Sequence, residues 1–340
     1  MAHARASGVA STYPVEVLAS GLNVPDDLLY VDADGTILVG EHGDGHIAVV
    51  GGPSGPARLP QTVPEAEGIA QMNGVTYVAD QLHARVVALT ATGVRTVIQL
   101  QPVPSGENLD GIGAGGDLLW IPDSPHGTLL AVDQSGRVVR RETGFSRPAG
   151  IWTNPTGHGG PYLVADENAA AVFALQNAGG HYVLAGNLPG VDDVVRTNGG
   201  HVLVILPGQG RLYDVTGRAN LATGLRNPQG LGFDGVENVL VTESDSGRLD
   251  RVVRTFALEP PTAVQRLAPD QTVCLGILRA PGYKDQVAIE QAVNADYDPA
   301  ATVLDRAEVR PVRCFLPVCV ASVTVRSPAG IQVAQFAYRD

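Results

Sequence analysis

The sequence predicts an all-β chain: a six-bladed β-propeller closed by the N-terminal strand, followed by a small C-terminal β-rich or α+β appendage. Three observations predict this fold. Short apolar segments recur about every 40 residues, the repeat length of four-stranded propeller blades. The 41 glycines supply many tight turns. The apolar runs alternate or are short, and they lack the helical spacing of roughly 3.6 residues.

Six segments share one plan: a polar or small opening residue, an apolar strand, a turn and a second strand. Their opening residues are Asp26, Glu67, Asp110, Ala149, Asp192 and Gln229. Turn signals such as DADG and NG separate the first two strands. The segment from Val15 to Leu22 resembles the strand that precedes later repeats, whereas the sixth repeat lacks a fourth strand of its own. We therefore expect this segment to pair with the strand containing Leu249 to Arg254, which would remove the free edges of an open array.

The last part of the chain does not follow the repeat. We predict a propeller over residues 1–257 and an appendage of unknown fold over residues 258–340, joined by the proline-marked segment EPPTAV. In the appendage, residues 284–294 could form a short helix, while VASVTVRS and IQVAQFAYRD alternate like strands. Its three cysteines allow at most one internal disulfide and leave the redox state open: Cys274, Cys314 and Cys319.

The net charge of −12 excludes some classes of partner. Nearly all of it falls in the predicted propeller, and an acidic surface repels phosphate backbones, so we expect no nucleic-acid partner. The apolar runs are too short to span a bilayer, and we expect no membrane partner. The first eleven residues lack the apolar stretch of a signal peptide. The compartment stays open: cytoplasmic for the sequence as given, secreted or periplasmic if a leader was removed.

The opening residues should form a ring at one mouth of the central channel, because the first strand of each blade lines that channel. Packed carboxylates raise one another's pKa, and a bound cation relieves this cost. Hard divalent cations prefer oxygen ligands, with calcium the first choice and magnesium the second. The alternative is a solvated acidic channel. The predicted metal ligands are Asp26, Glu67, Asp110, Asp192 and Gln229.

Two further sets of polar residues follow the second strands. Acids end five of these strands and are expected to bond backbone N–H groups of nearby turns: Glu41, Asp80, Asp123, Asp166 and Glu243. Histidines follow in three successive blades and are candidate general acids or bases, or simply polar rim residues: His42, His83 and His126.

Residues two positions before the ring should border the mouth. Asn108, Arg147 and Asn227 are therefore candidates for binding a small-molecule substrate, and Glu65 occupies the corresponding position in the second repeat. Arg147 could equally neutralise the acidic ring.

Three repeats carry a family resemblance. EGIAQMNGVTYVAD, DGIGAGGDLLWIPD and QGLGFDGVENVLVTE resemble the repeats of the NHL and gluconolactonase–regucalcin (SGL) group of six-bladed propellers, over roughly residues 15–257. Members of the SGL group hold a divalent cation with Glu, Asn and Asp and use an Asp as acid or base. The resemblance implies these roles for Glu67 and Asp110, while Gln229 stands where an Asn is expected. The fuller G-E-G-P-x-W signature is absent. The repeats also resemble those of streptogramin lyases, without the I-G-R-I and W-F-T-E elements.

These features favour a metal-dependent hydrolase acting on a lactone or related ester at the channel mouth. Its catalytic candidates are Asp110, His83 and His126. One alternative is a lyase or cyclase that acts on a natural-product-like small molecule in the same pocket. Another is a non-enzymatic binding scaffold of the NHL type. Metal dependence would separate both enzymes from the scaffold.

Overall fold

The computed structural model describes residues 10–11, 13, 15–31, 35–51, 57–154, 161–197, 200–234 and 238–252, and the backbone of 273–278, 307–315, 318–327 and 330–339. Regular structure in these ranges consists of β-strands and three short 3₁₀ turns. Among them there is no helix with the length and hydropathy needed to cross a membrane.

Three four-stranded antiparallel sheets form the first three blades. Blade 1 contains β3 (Pro25–Val31), β4 (Thr36–Glu41), β5 (His46–Val50) and β6 (Ala57–Thr62). Blade 2 contains β7 (Ala66–Met72), β8 (Val75–Asp80), β9 (Arg85–Thr90) and β10 (Gly93–Gln99). Blade 3 contains β11 (Gly113–Gly115), β12 (Leu118–Asp123), β13 (Thr128–Val132) and β14 (Val138–Thr143).

The remaining blades repeat this order, and two of them recruit N-terminal strands. Blade 4 contains β15 (Pro148–Trp152), β16 (Leu163–Asp166), β17 (Ala171–Leu175) and β18 (His181–Gly186). Blade 5 contains β19 (Val194–Arg196), β20 (Val202–Leu206), β21 (Arg211–Asp214) and β22 (Ala219–Thr223), with β1 (Ala10–Ser11) as a fifth strand. Blade 6 contains β23 (Pro228–Phe233), β24 (Val239–Glu243), β25 (Arg248–Val252) and β2 (Val15–Ser20).

The N-terminal strand closes the propeller as predicted. Val15 lies opposite Val252 and Ser20 lies opposite Arg248, so β2 is the outer strand of blade 6. The Arg251 guanidinium also donates to the Glu16 carboxylate at the same joint. Six antiparallel blades are therefore present, and the all-β fold class is confirmed. The pairing of β1 with β22 was not predicted.

All six blades have a completely buried side chain at the same position of the second strand. The residue two places before the end of every second strand is completely buried: Val39, Val78, Ile121, Val164, Val204 and Val241. Branched aliphatic side chains suit the pleated surface of a strand. Each such burial stabilises the fold by roughly 1.5–3 kcal/mol relative to exposure. The periodic apolar segments of the sequence therefore become the layers between blades.

The strand register brings the predicted site residues to one edge of each blade. The beginning of the first strand lies opposite the end of the second strand in four blades: Pro25 with Glu41, Ala66 with Asp80, Pro148 with Asp166 and Pro228 with Glu243. The ring residues and the acids that end the second strands thus share the same side of the propeller.

The C-terminal strands form a sheet of their own, in the order β26 (Val273–Leu278), β29 (Gly330–Arg339), β28 (Val318–Ser327) and β27 (Ala307–Phe315). Strands β28 and β29 confirm the two alternating segments identified in the sequence. The predicted boundary at residues 257–258, the EPPTAV linker and the possible helix at 284–294 lie outside the described residues, so the division into domains stays a prediction.

Candidate functional site

Glycine follows the ring position in four blades because neighbouring backbones approach closely there. A Cβ atom built on Gly68 would lie 2.3 Å from the backbone nitrogen of Ile112. One on Gly230 would lie 2.5 Å from the carbonyl oxygen of Asp26. Any side chain at these positions would push two blades apart at the channel wall.

Blades 1 and 5 have an aspartate at this second position. The Asp27 carboxylate accepts from Ile69 N of blade 2 at 3.0 Å, and the Asp193 carboxylate accepts from Leu231 N of blade 6 at 2.9 Å. Each also accepts from the amide of the following residue at 2.7 Å. Desolvation raises the pKa of Asp27 to about 7, against two backbone hydrogen bonds that lower it. These two acids connect adjacent blades beside the ring, a role that the sequence analysis missed.

The four ring carboxyls lie close enough to influence one another. The channel leaves Asp26, Asp110 and Asp192 some contact with solvent, yet the protein packed around them desolvates them. Desolvation, and then the charge of Glu67, raises the pKa of Asp26 well above its usual range. Desolvation, and then the charge of Asp110, has the same effect on the pKa of Glu67 and of Asp192. The ring is therefore a coupled set that resists full ionisation.

Glu67 is the ring acid with the best-defined partners. It is only 4% exposed, and its Oε1 lies 2.6 Å from Nδ1 of His42, which follows the second strand of blade 1. Glu67 also shares a hydrogen bond with Asp26, and this bond raises the pKa of Asp26 and lowers that of Glu67. The bond therefore adds to the rise in the pKa of Asp26 and opposes the larger rise that desolvation causes in the pKa of Glu67.

Asp110 has a cationic partner instead. The Arg147 guanidinium lies 3.4 Å from Asp110 Oδ2 and 2.7 Å from Glu167 Oε2, with Glu107 at 3.7 Å. Desolvation raises the pKa of Asp110, and the charge of Arg147 opposes this shift. The Arg147 side chain is 19% exposed, and its three guanidinium nitrogens face Glu107, Asp110 and Glu167, so a substrate role for it stays a prediction.

The ring oxygens have the chemistry of ligands for a hard cation. The placement of these oxygens fits a bound cation less well. Nowhere in the described part of the chain do three or more His, Cys, Asp or Glu side chains form a group that could hold a metal ion. Asp110 and Glu67 already face Arg147 and His42. The metal site at Asp26, Glu67, Asp110, Asp192 and Gln229 therefore stays a prediction, and no step proposed below depends on it.

The acids that end the second strands have the structural role expected of them. Asp166 is completely buried and accepts from the amides of Ser146, Arg147 and Ala169 at 2.6, 2.9 and 2.9 Å. Glu41 accepts from Asn23 N at 2.7 Å. Glu41, Asp166 and Glu243 thus bind the segment that leads into the first strand of their own blade, whereas Asp80 accepts from His83 N in the turn that follows it. They hold the loops at the channel mouth.

The two histidines favoured by the sequence analysis have other partners. Nδ1 of His83 lies 2.9 Å from Asp80, and Nδ1 of His126 lies 2.6 Å from Asp123. Each imidazole therefore turns back to the strand-end acid of its own blade. His42, with its different offset from the strand end, is the histidine seen to contact a ring acid.

The two asparagines at the mouth, Asn108 and Asn227, are explained by the backbone around them. Asn108 is 2% exposed, donates to the carbonyl oxygens of Gln81 and Gly106, and accepts from Val103 N. It fixes the loop before blade 3. Asn227 has a left-handed backbone with φ of 54°, a conformation that asparagine tolerates well. The contacts of Asn108 and the backbone conformation of Asn227 give both asparagines a structural reason, and a substrate role for them stays a prediction.

Neither a family model nor a curated relative matches this chain. Solved structures do match. A gluconolactonase from Xanthomonas campestris aligns with a TM-score of 0.57 at 12% identity, over 73% of this chain and 95% of that one. A protein from Thermus thermophilus described as a putative oxidoreductase (glucose dehydrogenase) gives 0.60 at 16% identity, over 71% and 100%. Virginiamycin B lyase from Staphylococcus aureus gives 0.53 at 14% identity, over 71% and 99%. At this identity the likeness concerns the fold alone, and it supports the six-bladed propeller.

Proposed function

We propose that this chain is a hydrolase that opens a lactone or related ester at the channel mouth, with His42 as its general base. One observation carries the proposal: the 2.6 Å contact between Nδ1 of His42 and the buried Glu67. A carboxylate that accepts from one imidazole nitrogen orients the ring and leaves the other nitrogen free to take a proton. The His42 side chain is 32% exposed, so a water molecule can reach that nitrogen.

The hydrogen bond between Asp26 and Glu67 supports the role of His42 as general base. In this proposal the proton shared by the pair resides on Asp26, whose pKa the bond raises while it opposes the rise in the pKa of Glu67, so that Glu67 is the acceptor for Nδ1–H. Nε2 of His42 then removes a proton from water as the water oxygen attacks the substrate carbonyl. The same imidazole returns the proton to the ring oxygen of the lactone as its acyl bond breaks. The product is a hydroxy acid, whose carboxylate the acidic ring repels.

Charge that develops on the carbonyl oxygen requires hydrogen-bond donors. Arg147 of blade 4 provides one such donor. In the order of the blades, His42 of blade 1 and Arg147 lie on opposite sides of Glu67. Asp192, whose pKa desolvation raises well above its usual range, would be a further donor in its protonated form. These donors would lie beside the base in a desolvated channel, where such interactions are strong.

A lyase is the second candidate, and one comparison favours it. A virginiamycin B lyase with quinupristin, which aligns with a TM-score of 0.53 at 16% identity, is a catalytically inactive histidine-to-alanine variant. A histidine base is therefore compatible with elimination on this fold. In this chain His42 would then take a carbon-bound proton instead of one from water. Incorporation of ¹⁸O from labelled water into the product separates the two reactions.

The test is a panel of aldonolactones and simple esters followed in a pH-stat, with and without prior treatment with a chelator. Hydrolysis that His42→Ala abolishes supports the proposal. Calcium, magnesium or zinc is then returned during calorimetric titration. A cation bound only by the native state should stabilise it by about 2.7 kcal/mol at a hundredfold excess over Kd. A folded protein that turns over no lactone or ester, with or without these cations, would contradict the proposal and favour a binding scaffold.

A further inference from the structure

The C-terminal sheet places two of the three cysteines directly opposite each other. Strands β27 and β28 form a hairpin in which Cys314 is the register partner of Cys319, and Phe315 is the partner of Val318. Only residues 316–317 separate the two strands. The cysteines are thus the second pair from the turn, in the same rung of the ladder and on the same face of the sheet.

The position of this rung determines the spacing of its backbone. In a hairpin with a two-residue connection, the pair that flanks the turn is hydrogen-bonded. Paired residues alternate between hydrogen-bonded and non-hydrogen-bonded types along an antiparallel ladder. The Cys314–Cys319 pair is therefore of the non-hydrogen-bonded type, whose Cα atoms lie about 4.5 Å apart. Disulfides span Cα separations of roughly 4.4–6.8 Å.

The third cysteine is too far away to compete. Cys274 is the partner of Gln335 in β29, while Cys319 is the partner of Tyr338 in the same strand. The two cysteines therefore lie on opposite sides of β29, at sites three residues apart along it, which is roughly 10 Å in each direction. That separation exceeds the roughly 7 Å limit for bridging without backbone movement.

We propose that Cys314 and Cys319 form a disulfide across the β27–β28 hairpin, with Cys274 left as a free thiol. The oxidant is a small disulfide such as oxidised glutathione. A thiolate of one cysteine attacks it and releases one glutathione thiol. The second cysteine then displaces the other glutathione from the mixed disulfide, so two protein thiols are oxidised and one external disulfide is reduced. The bond holds the hairpin in register, because a slip of one residue would separate the pair.

The experiment counts thiols in the full-length protein after incubation with oxidised glutathione. The protein is alkylated in denaturant and then digested with trypsin. Cleavage after Arg313 and Arg326 yields one peptide, residues 314–326, that contains both cysteines. We expect one alkylated thiol per chain, at Cys274, and a 314–326 peptide lighter by two hydrogen atoms than its reduced form. After reduction all three cysteines should react.

Two variants identify the cysteines that form the disulfide, whatever the yield of the oxidation. Cys274→Ser should leave no reactive thiol after oxidation, whereas Cys314→Ser should leave two. Three reactive thiols in the oxidised wild type would overturn the proposal. So would a bridge that includes Cys274, a bridge between two chains, or stable glutathione adducts on both Cys314 and Cys319.

Discussion

The propeller carries two sets of acidic side chains on the same side, and the protein treats them differently. The strand-end set, represented by Asp166 and Glu41, is buried but receives hydrogen bonds from backbone amides of the mouth loops. The ring set, represented by Asp26 and Asp192, faces other carboxyls across the channel, and desolvation raises the pKa of each. Residue type alone therefore does not distinguish a structural acid from a chemical one.

The largest expected effect is on turnover. His42→Ala should lower kcat/KM for lactone hydrolysis by roughly 10²–10⁴-fold, the usual contribution of a general base. His83→Ala is the matched control, since His83 contacts the strand-end acid Asp80, and it should change the rate by less than about threefold. Steady-state kinetics on the same lactone provide the measurement. Equal losses in both variants would mean that the ring contact of His42 has no special role.

The largest expected effect on stability comes from the strand-end set. Asp166→Ala leaves three amides in the blade 4 loop without their acceptor, and each unsatisfied buried group costs about 1–3 kcal/mol. We expect a loss of roughly 3–5 kcal/mol in the free energy of unfolding, measured in urea. Asp245→Ala removes an exposed acid of blade 6 and should stay within about 0.5 kcal/mol of wild type. A mild effect of Asp166→Ala would refute the structural role.

Removal of a ring carboxyl should change the free energy of unfolding in the opposite direction. Desolvation raises the pKa of Asp192 in the folded state, so its contribution to stability is complete below about pH 4, the usual unfolded pKa. That contribution is lost as the pH rises through the folded pKa. Asp192→Asn has no carboxyl to ionise and should become more stable than wild type as the pH rises above this range. Melting curves from pH 4 to pH 8 should diverge for Asp192→Asn and stay parallel for the exposed Asp117→Asn.

The smallest effect concerns the arginines that support the strand-end acids. Arg85 donates from Nε to the buried Asp80 at 2.7 Å, so Arg85→Gln should cost about 1 kcal/mol. The comparable pair of Arg137 and Asp133 lies at the surface, with Arg137 77% exposed, and Arg137→Gln should cost less than about 0.5 kcal/mol. Chemical denaturation of both variants in parallel measures the difference. If the two losses were equal, burial of the acid would not strengthen the pair.

The blades, their order and their closure were predictable because turns and apolar segments are local signals repeated six times. Side-chain partners were less predictable, since they depend on offsets of a few residues. His83 and His126 stand three residues after their strand-end acids and turn back to them, whereas His42 stands one residue after Glu41 and reaches Glu67 in the next blade. That difference is visible in the sequence.

Two other features were missed for different reasons. The double aspartates at Asp26–Asp27 and Asp192–Asp193 replace the usual glycine after the ring position, and this substitution was a readable sign of an acid between blades. The fifth strand at Ala10–Ser11 was not readable. It has two residues and no alternating pattern, and its pairing with β22 depends on where the closed propeller brings the N-terminus.

The joint between β2 and β25 has a consequence for biosynthesis. Glu16 and Arg251 bond across this joint although 235 residues separate them in the chain. At ribosomal rates of about 5–20 residues per second, the first strand leaves the exit tunnel tens of seconds before its partner has been made. During that time the nascent chain exposes an unpaired strand that can pair with other chains. Any messenger truncated before the codons for residues 248–252 would therefore yield a permanently open array, a substrate for chaperones and proteases.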